Sequence, residues 1–406
     1  MSFSIALSGL KAASADLGVT ANNIANANTT GFKQSRAEFA ELFPVSSYGV
    51  AANATGAGTR LARVAQQFQQ GAINFTNNSL DLALSGEGFF TLSDNGAMVY
   101  SRAGAFGTDR NGYVVNAAGQ RLQVFPPIAG AQGFDTARLA DLQLTTGDNP
   151  PRASTRLTAA VNLPASAQPP ANGSFDAGDP TSYNFTRSVT VYDSLGAAHT
   201  ASLFFVKGAS PNEWNVHAQI DGSDVGGANA LTFTDSGTLL TPANGEITLP
   251  GFAPTTGAAD LNLTLNFAAA TQFGDDFGLA ELSQDGYATG RLTGIEITQD
   301  GIVQARYTNG QATPLGRIAL ANFPNPQGLQ RLGDNAWGET FAAGPVLRGA
   351  AGETDFGLIQ AGALEGSNVD LTEQLVNMIT AQRNFQANAQ MISTTDQITQ
   401  TVINIR

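Results

Sequence analysis

Apolar residues recur in alternating steps of four and three at both ends of the chain. Near the start the series runs Phe3, Leu7, Leu10, Ser14, Leu17, Ala21 and Ile24. Near the end it runs Leu371, Leu375, Met378, Gln382, Phe385, Ala389 and Ile392, and after a slip in phase Met391, Thr395, Ile398, Val402 and Ile405 continue it. This spacing keeps one stripe on one helix face and is the heptad pattern of helices that pack along a seam. It predicts helical segments at 1–30 and 366–406. Ser367 with Asp370, or Asp370 with Glu373, supplies a start signal for the second. Residues 1–30 carry only Lys11 and Asp16 as charges, and the final segment is nearly as bare. Asn, Gln, Ser, Thr and Ala stand where a helix facing water would carry Lys and Glu. Chain ends ordinarily fray, yet here they hold the strongest pattern. The expectation is helices surrounded by other helices, which copies of the chain can supply. A lone terminal hairpin capping one domain is the other reading.

Between these ends the period changes. Asn22, Asn23, Asn26 and Asn28, followed by Gly31, mark a helix exit. A short helical stretch is expected to reach Phe43 before Pro44, and 46–59 has the composition of a flexible linker, so 31–70 is read as a connection. From about Gln70 the pattern becomes that of strands, including Met98–Ser101, Tyr113–Val115 and Arg121–Phe125, punctuated by Asn-Gly and Ala-Gly turns. DRNGYVVNAAGQRLQVF (109–125) and TQDGIVQARYTNGQATPLGRIAL (298–320) share one texture and are read as halves of one discontinuous β-domain, 71–145 with 280–365. Pro150-Pro151 opens a separate unit over 146–279. In it Leu157, Ala159, Val161 and Leu163 alternate, as do Tyr183, Phe185, Val189 and Val191, then Ala201, Leu203 and Phe205, then Trp214, Val216, Ala218 and Ile220. Half-buried strands joined by short turns make an antiparallel meander, here a β-barrel or sandwich inserted in the first β-domain. The fold class expected is multidomain α+β: terminal helices in a coiled-coil-like layer, plus two mainly antiparallel β-domains, one inside the other.

Composition narrows the function. The net charge of −13 would be repelled by a phosphate backbone, so nucleic acid is excluded as a partner. No apolar run approaches membrane-spanning length, and the start lacks the basic and apolar regions of a cleaved secretory signal. With no cysteine, disulfides, thiol catalysis and thiolate metal sites are all absent. His199 and His217, the only histidines, are expected at the surface: His217 by strand parity, His199 at a strand edge. Asp275, Asp276, Glu281 and Asp285 fit no calcium loop and read as a solvated turn. Gly86-Glu87-Gly88 lacks the context of a phosphate loop, and no nucleophile elbow occurs. Catalytic residues, metal ligands and cofactors are therefore expected to be none, and the chain is not read as an enzyme. The candidate functional residues are those of self-assembly: Phe3, Leu7, Leu10, Leu17, Ile24, Leu371, Leu375, Met378, Phe385, Ile392, Ile398, Val402 and Ile405.

The two ends together resemble the flagellar rod, hook and hook-associated axial family. MSFSIALSGLKAASADLGVTANNIANANTTGFKQSRAEFAELF is similar to its N-terminal motif, with the core Asn22-Asn23-Ile24-Ala25-Asn26-Ala27-Asn28, and 363–406 is similar to its C-terminal motif. Within the family, 272–340 resembles the hook members almost throughout, and 182–205 is similar to their inserted domain. Distal rod members resemble both ends but are much shorter and lack the insertion. The resemblance implies a hollow helical tube acting as a universal joint between motor and filament. The terminal helices would form its inner layers, the first β-domain a middle layer and the inserted domain the outer surface. It implies as partners further copies of the chain, the distal rod protein, the hook cap, the hook–filament junction proteins and the flagellar export apparatus. The location implied is the hook, outside the cell, reached without a cleaved signal. A distal rod protein and a secreted β-rich adhesin are the alternatives; the adhesin leaves the uncharged heptads unexplained.

Overall fold

A computed structural model describes residues 2–43, 56–131, 133–144 and 147–404. The two heptad segments form helices, α1 at Ser2–Ala25 and α2 at Leu371–Asn404, and they pack on each other. The exit from α1 is a turn completed at Gly31, whose φ of 69° is the left-handed conformation that glycine adopts without strain. A Cβ there would also lie 2.5 Å from the Ala103 nitrogen, so nothing larger fits. Asp370 starts α2: one carboxylate oxygen accepts hydrogen bonds from the backbone N–H groups of Thr372 and Glu373, at 2.7 and 3.1 Å. Such a cap is worth about 1 kcal/mol.

The helical stretch expected up to Phe43 is corrected. Ser35–Leu42 is a strand, paired antiparallel with Gly58–Gln66 and crossed by an Arg63–Glu38 ion pair of 2.6 Å. Its Arg, Ala, Glu and Leu favour a helix in isolation, but the ladder and the α1 residues packed on it decide otherwise. The linker expected at 46–59 lies largely outside the described residues; its last positions, Gly58 and Thr59, already belong to the second strand.

The chain divides into two compact units, the first 1–146 with 294–305 and 312–406, the second 147–293 with 306–311. In the first, a mainly antiparallel sheet contains, as consecutive neighbours, Ala312–Asn322, Arg121–Phe125, Phe89–Asp94, Ala97–Ser101 and Ala336–Gly338. The two similar sequence segments meet in it, Ile318 opposite Val124 and Arg317 opposite Phe125. Phe90, Leu92, Leu122, Val124, Ile318 and Leu320 form its main core. A second cluster joins Phe89, Tyr100, Phe323 and Trp337 by edge-to-face contacts.

In the second unit an antiparallel meander runs Phe185–Tyr192, Ala198–Lys207, Glu213–Ile220, Ser223–Phe233 and Leu239–Thr241. A second sheet contains Glu246–Thr248, Thr264–Asn266, Arg156–Asn162 and Gly278–Gln284, with Arg156–Asn162 parallel to Thr264–Asn266. Both contribute to one core, and the inward residues are those the alternation marks: Leu157, Ala159 and Val161 in one sheet, Leu203, Phe205, Trp214 and Val216 in the other. The acidic cluster is corrected in part. Asp275 and Asp276 are exposed, but Asp285 accepts hydrogen bonds from the backbone N–H groups of Thr155 and Arg156 and from the Thr155 hydroxyl, tying two strand ends together.

Candidate assembly surfaces and the node beneath them

The predicted stripe and the contact made within one chain differ. On α1 the buried positions are Ala6, Ala13, Thr20 and Asn23. At Gly9 a Cβ would stand 2.4 Å from the Asn388 side-chain oxygen, so α1 and α2 approach as closely as a glycine allows. On α2 the buried positions are Gln374 and Ala381, with Met378, Phe385 and Ile392 half-buried. The fully buried positions of the two helices are thus small or polar. Of the large residues in the stripe, Leu10, Leu17 and Ile24 are half-buried, whereas Phe3, Leu7, Leu371, Leu375 and Ile398 are exposed, Phe3 at 51 % and Ile398 at 60 %. Val376, Ile379, Met391 and Ile403 add to this surface. The Val402 side chain and Ile405 lie outside the described residues. Only Glu373, Arg383 and Asp396 are charged along α2. These side chains leave a row of exposed apolar residues along both helices. Beside α1, Leu7, Lys11, Leu42, Arg60 and Leu61 line a groove of about 420 Å³ against the paired strands Ser35–Leu42 and Gly58–Gln66.

Beneath the helices lies a polar node. Asn23, 2 % exposed, pairs with the Ser35 backbone as a strand residue would: its amide donates to the Ser35 carbonyl and its oxygen accepts from the Ser35 N–H, both at 2.8 Å. The same amide donates to Gln374 on α2 at 3.1 Å. Asn368 accepts from the Gln34 N–H and donates to the carbonyls of Gln67 and Gln69. Lys33 is fully buried; its ammonium donates to Glu365 at 2.6 Å and to the Gln69 carbonyl at 2.7 Å. Glu365 also accepts from the Gly71 N–H and faces Arg102 at 3.4 Å. Burial pulls the Lys33 ammonium below its usual range, against the pull of Glu365, and burial likewise lowers Arg102. Of the Asn-rich motif, Asn23 serves this node. Asn26 accepts from Thr29 and donates to the Asn22 carbonyl, while Asn22 and Asn28 are exposed. Lys33 and Glu365 escape a sequence reading, because nothing near either residue in the chain points to the other.

The histidines are corrected too. His199 is buried between Asp193 and Asp221. His217 does face outward, but its ring stacks on Phe175 at 3.9 Å, and burial there lowers its pKa.

Family models match most of the chain in pieces: Flagella basal body rod protein at 3–33, Flagellar hook protein FlgE/F/G D1 domain at 83–169, Flagellar basal body protein FlaE D2 domain at 162–287, and Flagellar basal body rod FlgEFG protein C-terminal at 360–405. Nested β-structure between paired terminal helices thus coincides with the rod-and-hook class of flagellar axial proteins. Over 417 residues, covering all of both chains, the sequence is 41 % identical to Flagellar hook protein FlgE of Salmonella typhimurium. It is 40 % identical to that of Escherichia coli, again over both whole chains, and 33 % identical to that of Borreliella burgdorferi over 98 % of each. In fold it is similar to the crystal structure of Helicobacter pylori flagellar hook protein FlgE2, with a TM-score of 0.55, 16 % identity, and 72 % of this chain and all of that one covered. The chain belongs to the flagellar hook protein family, a structural family of the bacterial flagellum. Among the described residues no helix is long and apolar enough to cross a membrane.

Proposed function

We propose that the chain polymerises through α1 and α2 into the hollow helical tube of the flagellar hook, a flexible universal joint carrying motor torque to the filament. One observation carries this reading: the helices pack on each other with Gly9 against Asn388 and with Ala6, Ala13 and Ala381 buried, while Phe3, Leu7, Leu375, Ile379 and Ile398 stay exposed. Each such side chain gains about 1.5–3 kcal/mol when buried, and copies of the same chain supply the matching surface. In this arrangement the segments 1–30 and 366–406 form the assembly layer, 71–145 with 280–365 the middle layer and 146–279 the outer surface. At its two ends the tube meets the distal rod protein and the hook–filament junction proteins; the hook cap and the export apparatus act while it grows.

The experiment replaces Leu375 or Ile398 with Asp. Both sites are exposed in the single chain, so monomer stability should change by no more than about 0.5 kcal/mol. In a packed helical layer each buried carboxylate costs on the order of several kcal/mol, so sedimentation and electron microscopy should find no tubes. Normal tubes from both variants would overturn the assignment.

A further inference from the structure

The second unit holds a buried charge that assembly does not explain. His199 opens the strand Ala198–Lys207 in the inward phase shared with Ala201, Leu203 and Phe205, and it is 7 % exposed. Its Nδ1 lies 2.6 Å from a carboxylate oxygen of Asp221 and its Nε2 lies 3.2 Å from one of Asp193. A neutral imidazole has one N–H and one lone pair, so either tautomer would turn a lone pair toward a carboxylate. Only the imidazolium donates on both sides.

The two aspartates are fixed independently. Asp193, completely buried, accepts from the backbone N–H groups of Leu195 and Ala197 with one oxygen; the other accepts from the Thr256 hydroxyl at 2.8 Å and faces His199. Asp221 accepts from the Thr200 N–H at 2.8 Å. Phe252 sets its ring edge-on to the imidazole, centroids 5.9 Å apart. The groups converging on His199 are therefore Asp193 from the 193–196 turn, Asp221 from the turn before Ser223–Phe233, and the uncharged Thr256 and Phe252 from the 249–263 connection.

We infer that His199 is a proton-operated latch, whose imidazolium fastens these three segments of the second unit and whose deprotonation releases them. With the proton gone, a buried Asp193 and a neighbouring Asp221 face each other across a neutral ring, and one hydrogen bond is lost. Burial works against the charge on His199, but the hydrogen bonds and charges of Asp221 and Asp193 outweigh it and raise the pKa above 6.5. Burial would raise Asp193 as well, yet the bonds from Thr256, Ala197, His199 and Leu195 bring it down to about 2. A raised histidine stabilises the fold fully below 6.5, and that contribution is lost as pH rises through the folded value. The latch belongs to the single chain and is tested without polymerisation.

The test is NMR of the imidazole nitrogens in the full-length monomer, titrated from about pH 5 to about pH 10, with amide exchange corrected for intrinsic rates. The two histidines should move apart: His199 titrating above 6.5, with both nitrogens protonated below its midpoint, and His217 titrating below 6.5. Asp221→Asn keeps an acceptor for the Thr200 N–H and removes one charge, so the His199 midpoint should shift downward. Protection of 252–261 should fall as the parent passes its midpoint and be low at every pH in His199→Gln. If His199→Gln does not fold, the Asp221→Asn shift and the parent's exchange profile decide the matter. A His199 midpoint at or below 6.5, a midpoint unmoved by Asp221→Asn, or pH-independent protection of 252–261 in the parent would each overturn the latch.

Discussion

Between residues 147 and 293 the strands turn large apolar side chains inward: Phe205, Trp214 and Phe267 are all but sealed from solvent, and the exceptions, Leu195, Leu240 and Phe273, lie in turns or near strand ends. Along α2, Val376, Ile379, Met391 and Ile398 stand at least half exposed. Both regions have regular apolar periods, two in the strands and three-to-four in the helices. A period therefore states that a face will be buried without stating by what. In the β-unit the other sheet of the same chain covers it. On the helices part of the stripe stays exposed in the single chain, and the proposed function has copies of the chain cover it.

The contrast can be broken most severely at the node, since there the helices depend on groups within their own chain. Glu365→Gln leaves Lys33 and Arg102 buried without their counter-charge, which should destabilise the first unit by about 3–5 kcal/mol. Thermal unfolding checks this; a loss under about 1 kcal/mol would show that the pair is not held as described. A matched pair of truncations sharpens the contrast. Leu203→Ala, in the sealed core, should lower monomer stability by about 2–5 kcal/mol. Ile398→Ala, on α2, should leave it within about 0.5 kcal/mol while weakening the polymer. Equal monomer losses would dissolve the distinction. The smallest effect is expected at the start of α2, where Asp370→Ala removes a cap worth about 1 kcal/mol and should show as fraying of 371–375 by amide exchange.

Much of the architecture was legible because periodicity is a local signal. Trp214, Val216, Ala218 and Ile220 announce their strand and its inward face, and Asp370 announces the start of α2. The strand Ser35–Leu42 was not legible: its residues suit a helix, and its partner strand begins only at Gly58. The close approach of α1 and α2 at Gly9 was not legible either, because the heptad stripe marks large residues and gives no signal for a glycine set against Asn388, 379 positions away. His199 was misplaced because the carboxylate beside its Nδ1 comes from a turn 22 positions away, although its strand phase already pointed inward. Lys33 and Glu365, 332 positions apart, meet only in three dimensions.

The Asn23 pairing has a mechanical reading. A side chain that takes a place in a β-ladder converts the end of a helix into part of the adjoining strand. Pulling α1 along its axis strains the Ser35 bonds, the Gln374 bond and, through Gly31, the bond from its N–H to the Glu365 carbonyl. Their partners come from separate segments of chain, so α1 is held at its end by several strands of contact at once. On the proposed function, force entering through α1 would be handed to the β-structure of the first unit at this junction.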